Sequence, residues 1–368
     1  MKKNILLNPG PATTTDTVKK AQVVPDICPR EKEFCIIIDE IREGLTKIVN
    51  GDENYTCVLF GGSGTAGMDA VINSVIPEGK KVLIINNGAY GERLCQIADA
   101  YNIDKIELKF DWDKIADINK IKEILESDKT ISHIAVVHHE TTTGILNPIK
   151  EIGSLAKDYN LSLITDTISS FAGIKIDIKE NNIDFLISTS NKCIQAMAGV
   201  CFIICKKTEL EKTKDYKKRS FYLNLYQQYK YFKETGEMQF TPPVQTIYAL
   251  QQAIKEFFEE GAENRYNRYK RSNEVLVKGL KKLGFKFLIK DQPQSGILVT
   301  LLEPEDPNYN FKELHDKLYS KGFTIYPGKV RISKTFRLAN MGAINEKDIK
   351  KFLKALKETL NEINVKLK

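Results

Sequence analysis

Residues 161–192 read "LSLITDTISSFAGIKIDIKENNIDFLISTSNK". Two short apolar runs stand out, "LSLITD" and "FLIST"; the first ends on Asp166, and Lys192 follows the second closely. Runs this short and this apolar suit strands buried on both faces, the kind found in parallel sheets covered by helices. A carboxylate at the end of such a strand is costly to bury without a partner, so Asp166 either caps the following "DTISS" turn or faces a cation such as a protonated ring nitrogen. A lysine among small and apolar neighbours lowers its pKa, finds a partner or performs chemistry, and the neutral amine attacks carbonyl carbon to form a Schiff base.

The same alternation extends in both directions. The sequence predicts helix within "REKEFCIIIDEIREGLTKIV", strand "YTCVLF", helix over 66–75, strand "KVLIIN", helix over 90–101, strand "KIELKF", helix over about 114–125, strand "HIAVVH" and helix over 148–159; strand "VCFIIC" closes the series. From 244 to about 283 the pattern is helical. Strands "SGILVTL" and "RISKTFRLA" and the amphipathic "NEKDIKKFLKALKETLNEI" then make a smaller unit. The reading is an α/β protein with a mostly parallel sheet in a large domain and a smaller C-terminal α+β domain. It divides into an N-terminal arm at 1–15, a large domain at 16–255 and a small domain at 256–368, with that last boundary inside a long helix.

Composition narrows the class. The 368 residues are 42% hydrophobic and 28% charged, as in a globular enzyme. The net charge of +7 comes from scattered lysines with no basic tract, so nucleic acid is not an expected partner. Seven cysteines without a CxxC pair point to reduced thiols and a cytoplasmic setting, and Cys201 and Cys205 read as core packing. The apolar run after the two initial lysines is too short for a signal peptide, and no stretch is long enough to span a membrane. Four histidines without ligand spacing make a metal unexpected.

Ligands of open α/β sheets bind beyond the carboxyl ends of the strands. Five such loops carry chemistry. "GGSGT" offers backbone amides at a helix start, with Ser63, Gly64 and Thr65 placed for an anion, though it matches neither GxxxxGK[ST] nor GxGxxG. "NNGAYGER" puts Tyr90 where a flat ring could stack. "HHETTTG" supplies Thr141 and its neighbours, and its Glu140 is either a general base or, more commonly for a loop carboxylate, solvated or bonded to local amides. Asp166 and Lys192 complete the set. An anion turn, a strand-end aspartate and a strand-end lysine, in that order, match the needs of pyridoxal 5'-phosphate.

The blocks "NPGPATTT", "GGSGT", "HHETTTGILNPI", "DTISSFAG", "STSNKCIQAMAG", "FTPPVQTIYAL" and "FRLANMG" together resemble the fold-type I aminotransferases of class V, and within them the 2-aminoethylphosphonate–pyruvate transaminases. The resemblance implies that Lys192 carries the cofactor as a Schiff base, with Asn191 beside it, and that Asp166 holds the ring nitrogen. Tyr90 would stack on the ring, Thr141 would lie near its hydroxyl side, and Ser63, Gly64 and Thr65 would bind the phosphate. Thr241 would reach the phosphate of a neighbouring subunit, making a homodimer with shared sites. Arg337 would clamp the anionic end of the substrate, residues Asn8 and Gly10 of the arm would close over it, and Arg30 would help hold a dianion. The implied reaction moves the amino group of 2-aminoethylphosphonate to pyruvate by a ping-pong cycle. Rivals are an alanine–glyoxylate or serine–pyruvate transaminase, a lyase acting on a related aminophosphonate, and a phosphate-binding module without catalysis.

Overall fold

A computed structural model describes residues 4–290, 294–328 and 333–367. Seven strands form the main sheet: β1 Tyr55–Gly61, β2 Lys81–Asn86, β3 Lys105–Lys109, β4 Ile131–Val137, β5 Ser162–Asp166, β6 Phe185–Thr189 and β7 Val200–Lys206. They lie side by side in the order β1-β7-β6-β5-β4-β2-β3. Strand β7 is antiparallel to both its neighbours, and the other pairs are parallel. Strands β6 and β7 are buried along nearly their whole length. That two-sided burial is why the quoted runs alternate so little in polarity. Cys201 and Cys205 are fully buried in this core, as packing residues should be.

Several of the expected elements shift at their ends, among them "SGILVTL", seen as Leu298–Leu302, and "HIAVVH", seen as Ile131–Val137. The helix expected from about 114 runs Ile118–Ser127, because the Asp117 side chain accepts from Asn119 N–H and caps it there. The strand expected over 331–339 is seen as Thr335–Ala339; Arg331 and Ile332 lie outside the described residues.

Two cores divide the chain. The large one ends with Phe257 on the helix Val244–Glu260. The smaller one gathers Leu276 and Leu280 of the helix Ala262–Leu283, the strand pair Leu298–Leu302 and Thr335–Ala339, and the last helix, Glu346–Glu362. That last helix starts in a capping box between Asn345 and Asp348. Gly261, at φ 81°, separates the two long helices, and we propose it as the domain division, just past the 255/256 boundary read from the sequence. A third cluster, including Ala12, Cys193, Tyr269, Ile297 and Met341, packs arm, sheet edge and smaller unit together. No helix of the described residues is long and apolar enough to cross a membrane.

Candidate active site

Apart from the antiparallel β7, the strands of the main sheet end on one edge. The loops 61–65, 86–93, 138–146, 166–170 and 189–197 leave from it, which are the five the sequence singles out. The sheet thus converges Ser63, Gly64, Thr65, Tyr90, Thr141, Asp166, Asn191 and Lys192 on a common mouth.

Asp166 is 3% exposed. Its carbonyl accepts from His138 N–H at 2.9 Å, and its Oδ1 accepts from Ile168 N–H at 2.8 Å. Burial pushes the carboxyl up to about 7; the neighbouring Glu140 adds to the rise, while the charges of Arg93 and Lys192 oppose it. A buried carboxyl that titrates so high becomes a stable anion once a cation is seated against it. The local amide bond anticipated from "DTISS" is present, at Ile168 N–H.

Lys192 projects toward the N-terminal arm, where its Nζ donates to the Pro9 carbonyl. The arm is fastened nearby: Ala12 N–H donates to Asn191 O at 2.9 Å, and Asn8 Nδ2 donates to Gly10 O at 2.9 Å. Gly10 adopts φ 132°, and a Cβ there would come within 2.7 Å of Lys192 Cε. Only glycine meets both demands.

The helix Gly64–Val75 begins at the anion turn, with Ser63 at its N-cap and no side-chain capping bond spent. Thr65 Oγ1 accepts from Arg93 at 3.1 Å, and the Arg93 guanidinium lies over the Tyr90 ring, 4.7 Å from its centre. Arg93 was not singled out in the sequence, although it stands three residues after Tyr90 on the helix Ala89–Ala100, a spacing that puts both on one face. Glu140 is fully buried and accepts from Tyr90 N–H at 3.0 Å, Thr142 N–H at 3.1 Å and the Thr142 hydroxyl at 2.5 Å. Of its two readings, binding to local amides is the one realised; it ties two of the site loops together.

Arg337, 1% exposed, sits on the strand Thr335–Ala339 of the smaller unit. Its Nη1 donates to Thr141 O, and its Nε and Nη2 donate to Pro327 O, all at 3.2 Å. Among the described residues no carboxylate pairs with it. A buried guanidinium met by carbonyls and, at 5.8 Å, by the Tyr326 ring, with no carboxylate on it among the described residues, suits an anion. Several buried polar atoms nearby also have no partner: Thr141 Oγ1, His139 Nε2 and Asn8 Oδ1. Orphaned donors and acceptors beside a proton-retaining aspartate and a lysine fit a polar ring with hydroxyl, aldehyde and phosphate groups.

Two expected site residues lie elsewhere on the chain. Thr241 is exposed, just before the helix Val244–Glu260. Arg30 is fastened to the same neighbourhood, donating to Glu237 Oε2 at 2.6 Å, Met238 O at 2.7 Å and Gln239 O at 3.1 Å. None of these contacts is to the sheet edge.

A mostly parallel seven-stranded sheet of this kind, with a lysine, a buried aspartate and an anion turn leaving one of its edges, is the α/β fold of the type I pyridoxal-phosphate enzymes. The aminotransferase class-V family model matches residues 17–314. The sequence is 42% identical over 361 residues to a 2-aminoethylphosphonate–pyruvate transaminase of Salmonella paratyphi C, covering 97% of each chain. It is 41% identical over 355 residues to the protein of that name from Bacillus cereus, covering 96% of each. In structure it resembles the ureidoglycine–glyoxylate aminotransferase of Bacillus subtilis, with TM-score 0.91, 23% identity, and 99% of this chain and 95% of that one covered. The alanine–glyoxylate aminotransferase of Nostoc sp. gives TM-score 0.90 at 24% identity, with 98% and 96% covered. The chain belongs to the class-V aminotransferases, and pyridoxal phosphate is its cofactor.

Proposed function

We propose that the protein transfers the amino group of 2-aminoethylphosphonate to pyruvate, giving phosphonoacetaldehyde and L-alanine. The observation that carries this reading is Arg337: a buried cation, free of ion pairs among the described residues, reaching from the smaller unit to the Thr141 loop. Its forked donors suit a phosphonate and a carboxylate alike, so one side chain serves both substrates. Relatives over 40% identical along nearly the whole chain bear the name of this reaction, which supports the choice of substrates.

When bound, the cofactor supplies an electron-withdrawing ring that stabilises negative charge at the donor's amino-bearing carbon. The chain's own residues do the rest. Lys192 would hold the cofactor covalently at rest, and its free amine would accept the proton from the donor carbon and hand it on. Asp166 would keep a positive charge at the ring nitrogen. Ser63, Gly64 and Thr65 would bind the phosphate at the helix start, and Tyr90, Thr141 and Asn191 would hold the ring. The arm at Asn8 and Gly10 covers Lys192 and excludes water.

A homodimer completes the site. Phe221 is 85% exposed, and its ring and that of Tyr222 pack on Phe240, beside Thr241; Tyr222 also donates to Gly61 O at the anion turn. This aromatic patch suits a second copy of the chain, which would bring Thr241 to the neighbour's phosphate and Arg30 close behind it. Cysteines without paired spacing support a cytoplasmic location.

Two measurements test the reading. Single-turnover mixing of the yellow protein with candidate amines should show 2-aminoethylphosphonate bleaching the visible band; bleaching by serine or alanine but not by the phosphonate overturns the substrate choice. Arg337→Gln should lower kcat/KM for both substrates by roughly 30-fold or more, since truncating a buried charged partner costs about 2–5 kcal/mol. Arg337→Lys should restore only part of the loss, a point charge lacking the fork.

A further inference from the structure

Tyr269 stands on the helix Ala262–Leu283, far in sequence from every site loop, and is 1% exposed. Its hydroxyl uses its full bonding capacity. It donates to Cys193 O at 3.1 Å, and accepts from Gln195 Nε2 at 2.7 Å and from Gly342 N–H at 3.1 Å. Burial pushes the phenol up to about 12, so the hydroxyl keeps its proton and its donor role at working pH. The backbone of Tyr269 adds a fourth link, its carbonyl accepting from Asn340 Nδ2 at 2.9 Å. From the preceding position on the helix, Arg268 donates to Gly342 O at 3.0 Å.

The two bonds on one side hold the turn that carries Lys192. That turn closes through Gln195 N–H to Lys192 O and Ala196 N–H to Ser190 O, both at 2.9 Å. Within it Gln195 takes φ 68°, a left-handed conformation that a side-chain-bearing residue keeps only when its surroundings enforce it. Its backbone N–H is held by Lys192 O and its side-chain amide by Tyr269. The bonds on the other side hold residues 340–342, the segment that leaves the Arg337 strand.

We propose that the Tyr269 hydroxyl is a positioning group that locks the Lys192 turn to the segment beyond Arg337, keeping the proton-transferring amine and the anion clamp in register. The inference rests on the roles assigned above to Lys192 and Arg337. It gives Tyr269 no contact with substrate; it acts through what it holds.

Tyr269→Phe keeps the ring and its packing and removes only the hydroxyl. In the cofactor-loaded protein it should move the pH midpoint of the visible band and raise KM for pyruvate, while kcat falls roughly 10- to 100-fold, the effect of an ångström-scale misplacement. In the protein stripped of cofactor, amide hydrogen exchange should quicken about tenfold or more in both 190–197 and 340–342, since buried donors lose their acceptor. Gln195→Ala cuts only one link, so exchange should quicken at 190–197 and stay unchanged at 340–342. A Tyr269→Phe protein with an unaltered band midpoint, KM and exchange, or with a lowered melting temperature alone, overturns the proposal; so does a Gln195→Ala protein that loosens both segments equally. The exchange measurements need no cofactor, so a wild-type protein that never turns yellow would defeat the functional reading while leaving the coupling itself measurable.

Discussion

Lys192→Ala yields a folded, colourless protein whose turnover falls by at least the ~10²–10⁴-fold that acid–base catalysis alone contributes. The fold should survive because the turn is closed by backbone bonds at residues 190, 192, 195 and 196, none of which needs the ammonium. What disappears is the amine proposed to bind the cofactor and move the proton. The check is direct: borohydride reduction of the wild type should fix a label on Lys192, whereas the variant should show no visible band and incorporate none. A variant that stays yellow and labels elsewhere would assign the attachment to another residue.

The second large effect belongs to Asp166→Asn, in activity and in stability. For activity, the role proposed for Asp166 makes it one partner of a buried charge pair, whose removal costs about 3–5 kcal/mol, roughly 150- to 5,000-fold in rate. For stability, the sign follows from protons. Without cofactor, the carboxyl titrates near about 7 in the folded chain against 3.8 as the ordinary value. Between those values the folded chain holds a proton that the unfolded chain has released, so stability falls as pH rises through that window. Asp166→Asn in the cofactor-free protein should lose this slope and be the more stable form above pH 7. Melting curves of both proteins from pH 4 to 8 decide it; parallel curves would mean that the carboxyl does not titrate in this range.

Much of this site could be read from sequence because its chemistry sits at strand ends. "LSLITD" and "FLIST" announce buried strands, so Asp166 and Lys192 fall on one edge by the geometry of a parallel sheet alone. Glu140 was ambiguous, since the same three letters suit a general base and an amide-bound anchor. Its choice depends on the N–H of Tyr90, fifty residues earlier. Arg93 could have been found from its helical spacing to Tyr90. Tyr269 could not: it is one tyrosine on a long helix, and its partners at 193, 195 and 342 are set by how the smaller unit docks. Thr241 and Arg30 rest on the family resemblance, and the part proposed for them needs a second subunit, which no pattern of spacing within one chain encodes.

Consider again the lone guanidinium at Arg337. On the proposed reading phosphonate and carboxylate share it, and the site then works as a turnstile: one guest has to leave before the next can enter. Crowding by either guest then jams the form meant for the other, so a cell rich in pyruvate but poor in phosphonate would slow the very exchange that the protein performs.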